Sequence, residues 1–315
     1  MANYVKISTI GPRPLAENPS PGQAAVDRML AFWKGKLDQV LPDRPDLIVL
    51  PEASDRYPAH SMAERLAYYR VRGNQVRDLF RDIAHKHRCH IAYSAAREMP
   101  DGTWRNSTQV IGRDGQVLGI YNKNHPVITE TTEGGILCGR DAPLIECDFG
   151  RVGCAICFDL NFDEIRLKYV RARPDLILFS SMYHGGLMQG YWAYSCRAHV
   201  VTSIAGLPSA ILSPVGNVLA STTNYFDFVT TTVNLDCQVV HLDFNWEKLK
   251  AMKAQYGPKV SIYDPGYLGA VLIASESDEM TIDDLIETYE IERLDDYWAR
   301  SLAHRHDPRN VECVS

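Results

Sequence analysis

Asp46-Leu-Ile-Val-Leu-Pro-Glu52 is an unbroken apolar run between an Arg44-Pro45-Asp46 lead-in and a carboxylate. A run this short, without polar alternation, reads as a β-strand buried on both faces. The pattern returns at Asp175-Leu-Ile-Leu-Phe-Ser-Ser181, again after Arg-Pro-Asp. Working outward, residues 5–10 read as another strand. Residues 24–40 read as a helix, with Val26, Met29, Leu30, Phe32, Leu37 and Val40 at helical spacing. A long amphipathic helix is expected over 62–87 and a strand over 90–97. The period then changes: 108–112, 115–122 and 144–149 are short runs punctuated by Asp114-Gly115 and Phe149-Gly150, which predicts hairpin strands. Residues 151–157 read as strand and 163–173 as a helix ending before Pro174. A helix is expected over 186–200, strands over 201–205, 210–213 and 217–220, and a last long strand over 228–235. This alternation, broken by hairpins, predicts an α/β fold with a mixed sheet, or two sheets, covered by outer helices. The composition shifts from about residue 243, and 276–302 is an acidic, then mixed-charge, helical region. The expected organisation is one domain over 1–275 and a helical extension over 276–315 with a loose tail.

Composition narrows the function classes. The chain has 315 residues, 45% of them hydrophobic and 23% charged, enough for a large core under a polar surface. A formal net charge of −6 argues against a nucleic-acid binder, which needs a concentrated basic face. No apolar run approaches the roughly 18 residues of a membrane span. The opening Met-Ala-Asn-Tyr-Val-Lys-Ile-Ser lacks the basic and apolar regions of a signal peptide, so a cytoplasmic protein is expected. The eight cysteines sit mostly inside apolar runs, not at the loop spacings of a secreted disulfide scaffold.

Three places carry chemistry. Glu52 ends an apolar strand, where α/β sheets open into ligand crevices; its structural alternative is a helix cap or an Arg partner. Lys123, in Tyr121-Asn-Lys123-Asn-His125-Pro126, follows a strand and could equally be a solvated lysine. Cys157, in Gly153-Cys154-Ala-Ile-Cys157-Phe158-Asp159-Leu-Asn161-Phe-Asp163-Glu164, closes a strand just before a turn and a helix. Helix N-terminal N–H groups near such a thiol favour its thiolate and present a nucleophile beside backbone donors. The alternatives are an inert buried cysteine, a Cys154/Cys157 redox or zinc pair, or a Cys–His hydrolase using His125, His184 or His199. The pair is disfavoured because positions three apart in a strand face opposite ways. The His85, His87, His90 and His304, His306 clusters read as surface histidines.

Together the three places resemble the nitrilase superfamily of carbon–nitrogen hydrolases, on its amidase and N-carbamoylase side. Leu47-Ile-Val-Leu-Pro-Glu52, Tyr121-Asn-Lys123 and Cys157-Phe-Asp-Leu-Asn-Phe-Asp-Glu164 stand in the family's order, with Asp163 where proline is usual. Pro174–Ser181 and Trp192-Ala-Tyr-Ser-Cys-Arg197-Ala resemble the strand and helix that follow in the family. Two stretches depart from it, Arg197-Ala-His199-Val200 and Met182-Tyr-His184-Gly-Gly186. The resemblance covers about residues 4–240 and implies an α-β-β-α sandwich, a four-layer-forming fold whose members pair into homodimers or larger homo-oligomers. The 276–315 extension is then a candidate interface arm.

The resemblance also implies roles. Glu52 would be general base, Cys157 the nucleophile, and Lys123 with the Phe158 backbone N–H the oxyanion donors. Many relatives carry a second glutamate about two dozen positions before the cysteine. Glu133 lies 24 positions before Cys157 and Glu130 lies 27, so Glu133 is the expected one. Tyr57, His125, Tyr183, His184 and Trp192 are expected to line the substrate pocket. No metal or organic cofactor is required. The expected reaction is hydrolysis of a small-molecule amide or N-carbamoyl C–N bond through a Cys157 thioester. Phe158-Asp159 after the cysteine, in place of the Trp-Glu typical of nitrile-hydrolysing relatives, puts nitrile hydrolysis second. A catalytically silent binding protein is the third reading.

Overall fold

The computed structural model describes residues 1–312. They form two compact units, residues 5–233 and residues 1–4 with 234 onward.

The larger unit holds β1 (Tyr4–Ile10), α1 (Gln23–Leu37), β2 (Leu47–Val49), α2 (Met62–Arg72), α3 (Gln75–His87), β3 (His90–Glu98), β4 (Trp104–Ile111), β5 (Val117–Asn122) and α4 (Ile128–Thr132). It continues with β6 (Ile145–Cys147), β7 (Gly150–Ile156), α5 (Asp163–Ala172), β8 (Leu176–Ser181), α6 (Met188–Cys196), β9 (His199–Ile204), β10 (Ala210–Leu212), β11 (Val218–Ser221) and β12 (Phe228–Asn234). Two six-stranded sheets result, ordered β12-β1-β2-β3-β4-β5 and β11-β10-β9-β8-β7-β6. In the first, β1, β2 and β3 run parallel and β3, β4 and β5 antiparallel. In the second, β7, β8 and β9 run parallel, with antiparallel flanks.

The two Arg-Pro-Asp lead-ins are a structural repeat. Arg44 and Arg173 both take left-handed φ, 52° and 53°. The carboxylate of Asp46 accepts the Lys6 N–H at 2.9 Å, and that of Asp175 accepts the Arg151 N–H at 2.7 Å. Each aspartate therefore locks the start of one central strand to its parallel neighbour. The sheets face each other through hydroxyls that bond to backbone carbonyls across the gap: Thr9 to Thr202 at 2.7 Å, Ser203 to Ile10 at 2.7 Å and Ser180 to Leu50 at 2.8 Å. The apolar core lies on the outer face of the first sheet, where Val26, Met29, Trp33, Tyr68 and Phe80 of α1–α3 pack. On the second sheet α5 and α6 cover the outer face. Helix, sheet, sheet, helix is the expected α-β-β-α sandwich.

Several boundaries differ from expectation. The helix expected over 62–87 breaks at Gly73, whose φ of 51° suits glycine and ends α2. The helix expected over 186–200 stops at Cys196, and His199 and Val200 belong to β9. The strand over 228–235 is not the last. The smaller unit contains β13 (Cys237–His241), α7 (Trp246–Tyr256), β14 (Val260–Tyr263), β15 (Ala270–Ser275), α8 (Ile282–Thr288) and α9 (Leu294–His306). An antiparallel sheet β13-β15-β14 backs a separate core of Val240, Met252, Ile273, Leu285 and Ile286. The division between the two compact units falls near residue 234, and the three strands of this sheet, all before residue 276, share their core with Ile282, Leu285 and Ile286 of α8 beyond it. The expected loose tail is helical through His306, and residues 313–315 lie outside the described residues.

Candidate active site

Three strand ends deliver the expected groups to one cleft. Beyond β2 the chain turns through Ala53, at φ 47°, so that Glu52 faces inward. The Ser54 hydroxyl bonds to the Pro51 and Ser94 carbonyls and fixes that turn. Lys123 extends the β4–β5 ladder by one pair, its N–H reaching the Asn106 carbonyl at 2.8 Å. Lys123 and Asn106 are thus cross-strand neighbours on the inner face.

Lys123 is 2% exposed, and its Nζ lies 2.8 Å from Glu52 Oε1 and 2.7 Å from Glu130 Oε2. Asn106 Nδ2 donates to the same two carboxylates, at 2.8 and 3.1 Å. Burial works against the Lys123 charge, but the two carboxylates outweigh it and raise its pKa above the ordinary value. The ammonium stays protonated.

Cys157 follows β7 at φ 50°, a left-handed conformation costly for a side chain bearing a Cβ, and opens a 3-10 turn over Cys157–Asn161. Helix α5 begins only at Asp163. The thiol is within reach of the Glu52 carboxylate and the Met182 backbone. Burial pushes it up to about 12, Glu52 adds to the rise, and Lys123 opposes it. The turn does not produce the resting thiolate that a helix N-terminus alone suggested. Cys154 is fully buried, its backbone N–H and carbonyl both bonded to the Tyr169 hydroxyl.

Asp159, which sequence reasoning passed over, ties these elements together. Its fully buried carboxylate accepts from Tyr121 Oη (2.6 Å), the Ile156 N–H (3.0 Å) and the His125 N–H (2.8 Å), and meets His125 Nδ1 at 3.0 Å. One side chain thereby joins the cysteine turn to the lysine strand. The signal was present: an aspartate two residues after a strand-ending cysteine, in a turn, is poised to take local N–H groups.

The cleft, about 400 Å³ in volume, is lined by Glu52, Lys123, Glu130 and Cys157, with Glu133, Met182 and two arginines among the others. Glu130, not Glu133, bonds Lys123, because it lies on the first turn of α4, where its Oε2 also accepts the Val127 N–H at 2.9 Å. Glu133 sits past the end of α4 and is exposed, on the rim.

The expected pocket residues mostly lie elsewhere. Tyr57 is fully buried in the helical core, its hydroxyl bonded to the Ala25 carbonyl at 2.8 Å. Trp192 is fully buried on α6, its indole N–H on the Leu160 carbonyl at 2.9 Å. His184 is exposed and lines a separate depression with Leu187 and Gly216. His125 stacks on Phe162, centroids 3.9 Å apart, and serves Asp159. Tyr183 stands beside the site: burial, then the neighbouring Cys157, Asp159 and Glu52, raise its phenol above the ordinary value. The Phe158 side chain is 39% exposed and packs edge-on against Phe162. Among the described residues no group of three or more His, Cys, Asp or Glu side chains is arranged to hold a metal ion. No helix among them is long and apolar enough to cross a membrane.

The Carbon-nitrogen hydrolase family profile matches residues 20–240. The chain belongs to that family. Its fold is that of the nitrilase superfamily: a carbon-nitrogen hydrolase from Helicobacter pylori G27 superposes with a TM-score of 0.63 at 14% identity, over 81% of this chain and 93% of that one. Curated relatives are more distant in extent. Deaminated glutathione amidase of Mus musculus is 26% identical over 110 residues, 31% of this chain and 33% of the relative. The chloroplastic omega-amidase of Arabidopsis thaliana is 26% identical over 141 residues, 37% of this chain and 38% of the relative. The chain thus spans little more than a third of the length of these two carbon–nitrogen hydrolase relatives.

Proposed function

We propose that this carbon–nitrogen hydrolase family member cleaves an amide-type C–N bond of a small molecule, with Cys157 as nucleophile. The observation carrying the reading is a buried lysine held between two carboxylates in the same cleft as a cysteine at a left-handed turn. The names of the two amidase relatives point the same way.

In this reading Glu52 takes the thiol proton as sulfur attacks the carbonyl carbon. The S–C bond forms, and the carbonyl π pair moves to oxygen, opposite the Lys123 ammonium and the Phe158 backbone N–H. Collapse breaks the C–N bond while Glu52 gives its proton to the departing nitrogen. Water then attacks the thioester, losing a proton to Glu52. The second collapse breaks the S–C bond, the acid departs, and the proton returns to sulfur. Glu130 and Asn106 orient Lys123 and Glu52.

Ammonia release from matched amides, N-carbamoyl compounds and nitriles of one acyl skeleton tests this. Amide-type substrates are expected to lead in kcat/KM, with no turnover by Cys157→Ala. A consistent lead for the nitriles would replace the amide assignment, and turnover by Cys157→Ala would remove the nucleophile.

A further inference from the structure

Two arginines, Arg56 and Arg65, line the same cleft as Cys157 without a carboxylate partner. Arg56 lies in the loop after Glu52, its Nη2 against the thioether sulfur of Met182. Arg65 projects from α2, its Nη2 on the His60 carbonyl at 3.1 Å. Among the described residues neither makes an ion pair, and the Nε of each is buried without a hydrogen-bond partner. Three other arginines of this unit are paired, Arg72 with Asp55 at 2.5 Å, Arg113 with Asp46 at 2.8 Å and Arg166 with Asp163 at 2.9 Å, whereas Arg97, whose Nε is also without a partner, lies outside the lining of this cleft. Rim residue Glu133 pairs with neither cleft arginine.

This arrangement is unfavourable as it stands. Burial and the like charge of Arg56 both work against the Arg65 cation, and Tyr69 and Glu130 offset them only in part. Two partly buried guanidinium groups, each with an unmet Nε–H donor, stand in a cleft whose carboxylates Glu52 and Glu130 already serve Lys123, and so are open to an acceptor of opposite charge. A planar carboxylate matches the guanidinium fork. Behind the arginines a small niche of about 40 Å³, lined by Leu66, Tyr69, Trp104 and Ile136, is too small for more than a minor apolar group.

We infer that Arg56 and Arg65 form a carboxylate-binding subsite, so that the substrate is an acidic amide carrying a carboxylate besides the scissile C–N bond. This deepens, and rests on, the amide-hydrolase reading.

Cys157 alkylation tests the subsite without turnover. Iodoacetate and iodoacetamide deliver the same chemistry with and without a carboxylate, and peptide mapping reads each cysteine. The anionic-to-neutral rate ratio at Cys157 is expected to exceed that at the exposed Cys138 by at least about tenfold, the scale of a charge-assisted hydrogen bond. It should fall toward the Cys138 value in Arg56→Gln and Arg65→Gln. A ratio in the unsubstituted protein no higher at Cys157 than at Cys138 overturns the proposal, whatever the protein hydrolyses. Ammonia release from butyramide, succinic acid monoamide and N-carbamoylglycine then locates the anion. Preference for the monoamide puts it on the acyl side, and preference for the carbamoyl compound puts it on the amine side. A tenfold preference for butyramide overturns the subsite. Turnover of none of them would sink the amide-hydrolase reading, leaving the alkylation ratio to decide the subsite alone.

Discussion

A thiol held near 12 is ionised in only about one molecule in 10⁵ at neutral pH, so the proposed attack needs its proton removed as the S–C bond forms. Glu52 is the group in reach. A raised thiol pKa means the protonated form persists to higher pH. The alkylation rate of Cys157 should therefore keep rising, nearly tenfold per unit, from pH 8 to 10, where an ordinary thiol of pKa about 8.5 levels off. A plateau near pH 8.5 in site-resolved rates would refute the burial argument. Lys123 depends on a compact ammonium fitted between two carboxylates, a place the planar guanidinium fork of arginine cannot fill. Lys123→Arg should lose at least about 100-fold in kcat, the scale of one oxyanion donor. Near-normal kcat would remove it from the mechanism. Glu52, Lys123 and Cys157 were singled out in the sequence by their places at strand ends together with the family resemblance, and the structure gathers them in one cleft. Asn106 was not, since only the β4–β5 register sets it opposite Lys123.

At the scale of elements, the short helix α4 sets which glutamate bonds Lys123. Spacing counted back from Cys157 crosses a long irregular loop and carries little geometry. Spacing counted forward from Lys123 reaches α4 directly, and its first turn holds Glu130 against the ammonium. Glu130→Gln should lower kcat far more than Glu133→Gln in one assay, and the reverse order would restore the spacing argument. The cysteine turn depends on Asp159 in the same way. Asp159→Asn keeps the volume but loses acceptors for the Ile156, His125 and Tyr121 donors. About 2 kcal/mol of stability and at least tenfold in kcat should be lost, with KM little changed. A defect confined to unfolding midpoint, with kcat intact, would make its role structural only. The central strands were readable because an apolar run after Arg-Pro-Asp fits nothing else. The break at Gly73 was not, because amphipathic period continues through it on both sides.

Over the whole molecule, the mixed α/β alternation and the family resemblance pointed to the α-β-β-α sandwich, but nothing in the reading pointed to the second core. The β14–β15 hairpin carried a turn signal, Asp264-Pro265-Gly266, that went unread because no strand was assigned between residues 235 and 276. Helices α8 and α9 were legible, and Thr281 with Asp284 forms a capping box at the start of α8. The proposed chemistry comes down to one covalent event at one sulfur. Rapid-quench mass spectrometry with a slowly hydrolysed amide tests that event directly. The account predicts an adduct with the mass of the acyl group, mapped to Cys157, formed and discharged at rates consistent with turnover, present in Cys154→Ala and absent in Cys157→Ala. Turnover without any acyl adduct, or an adduct mapped to another cysteine, would contradict it.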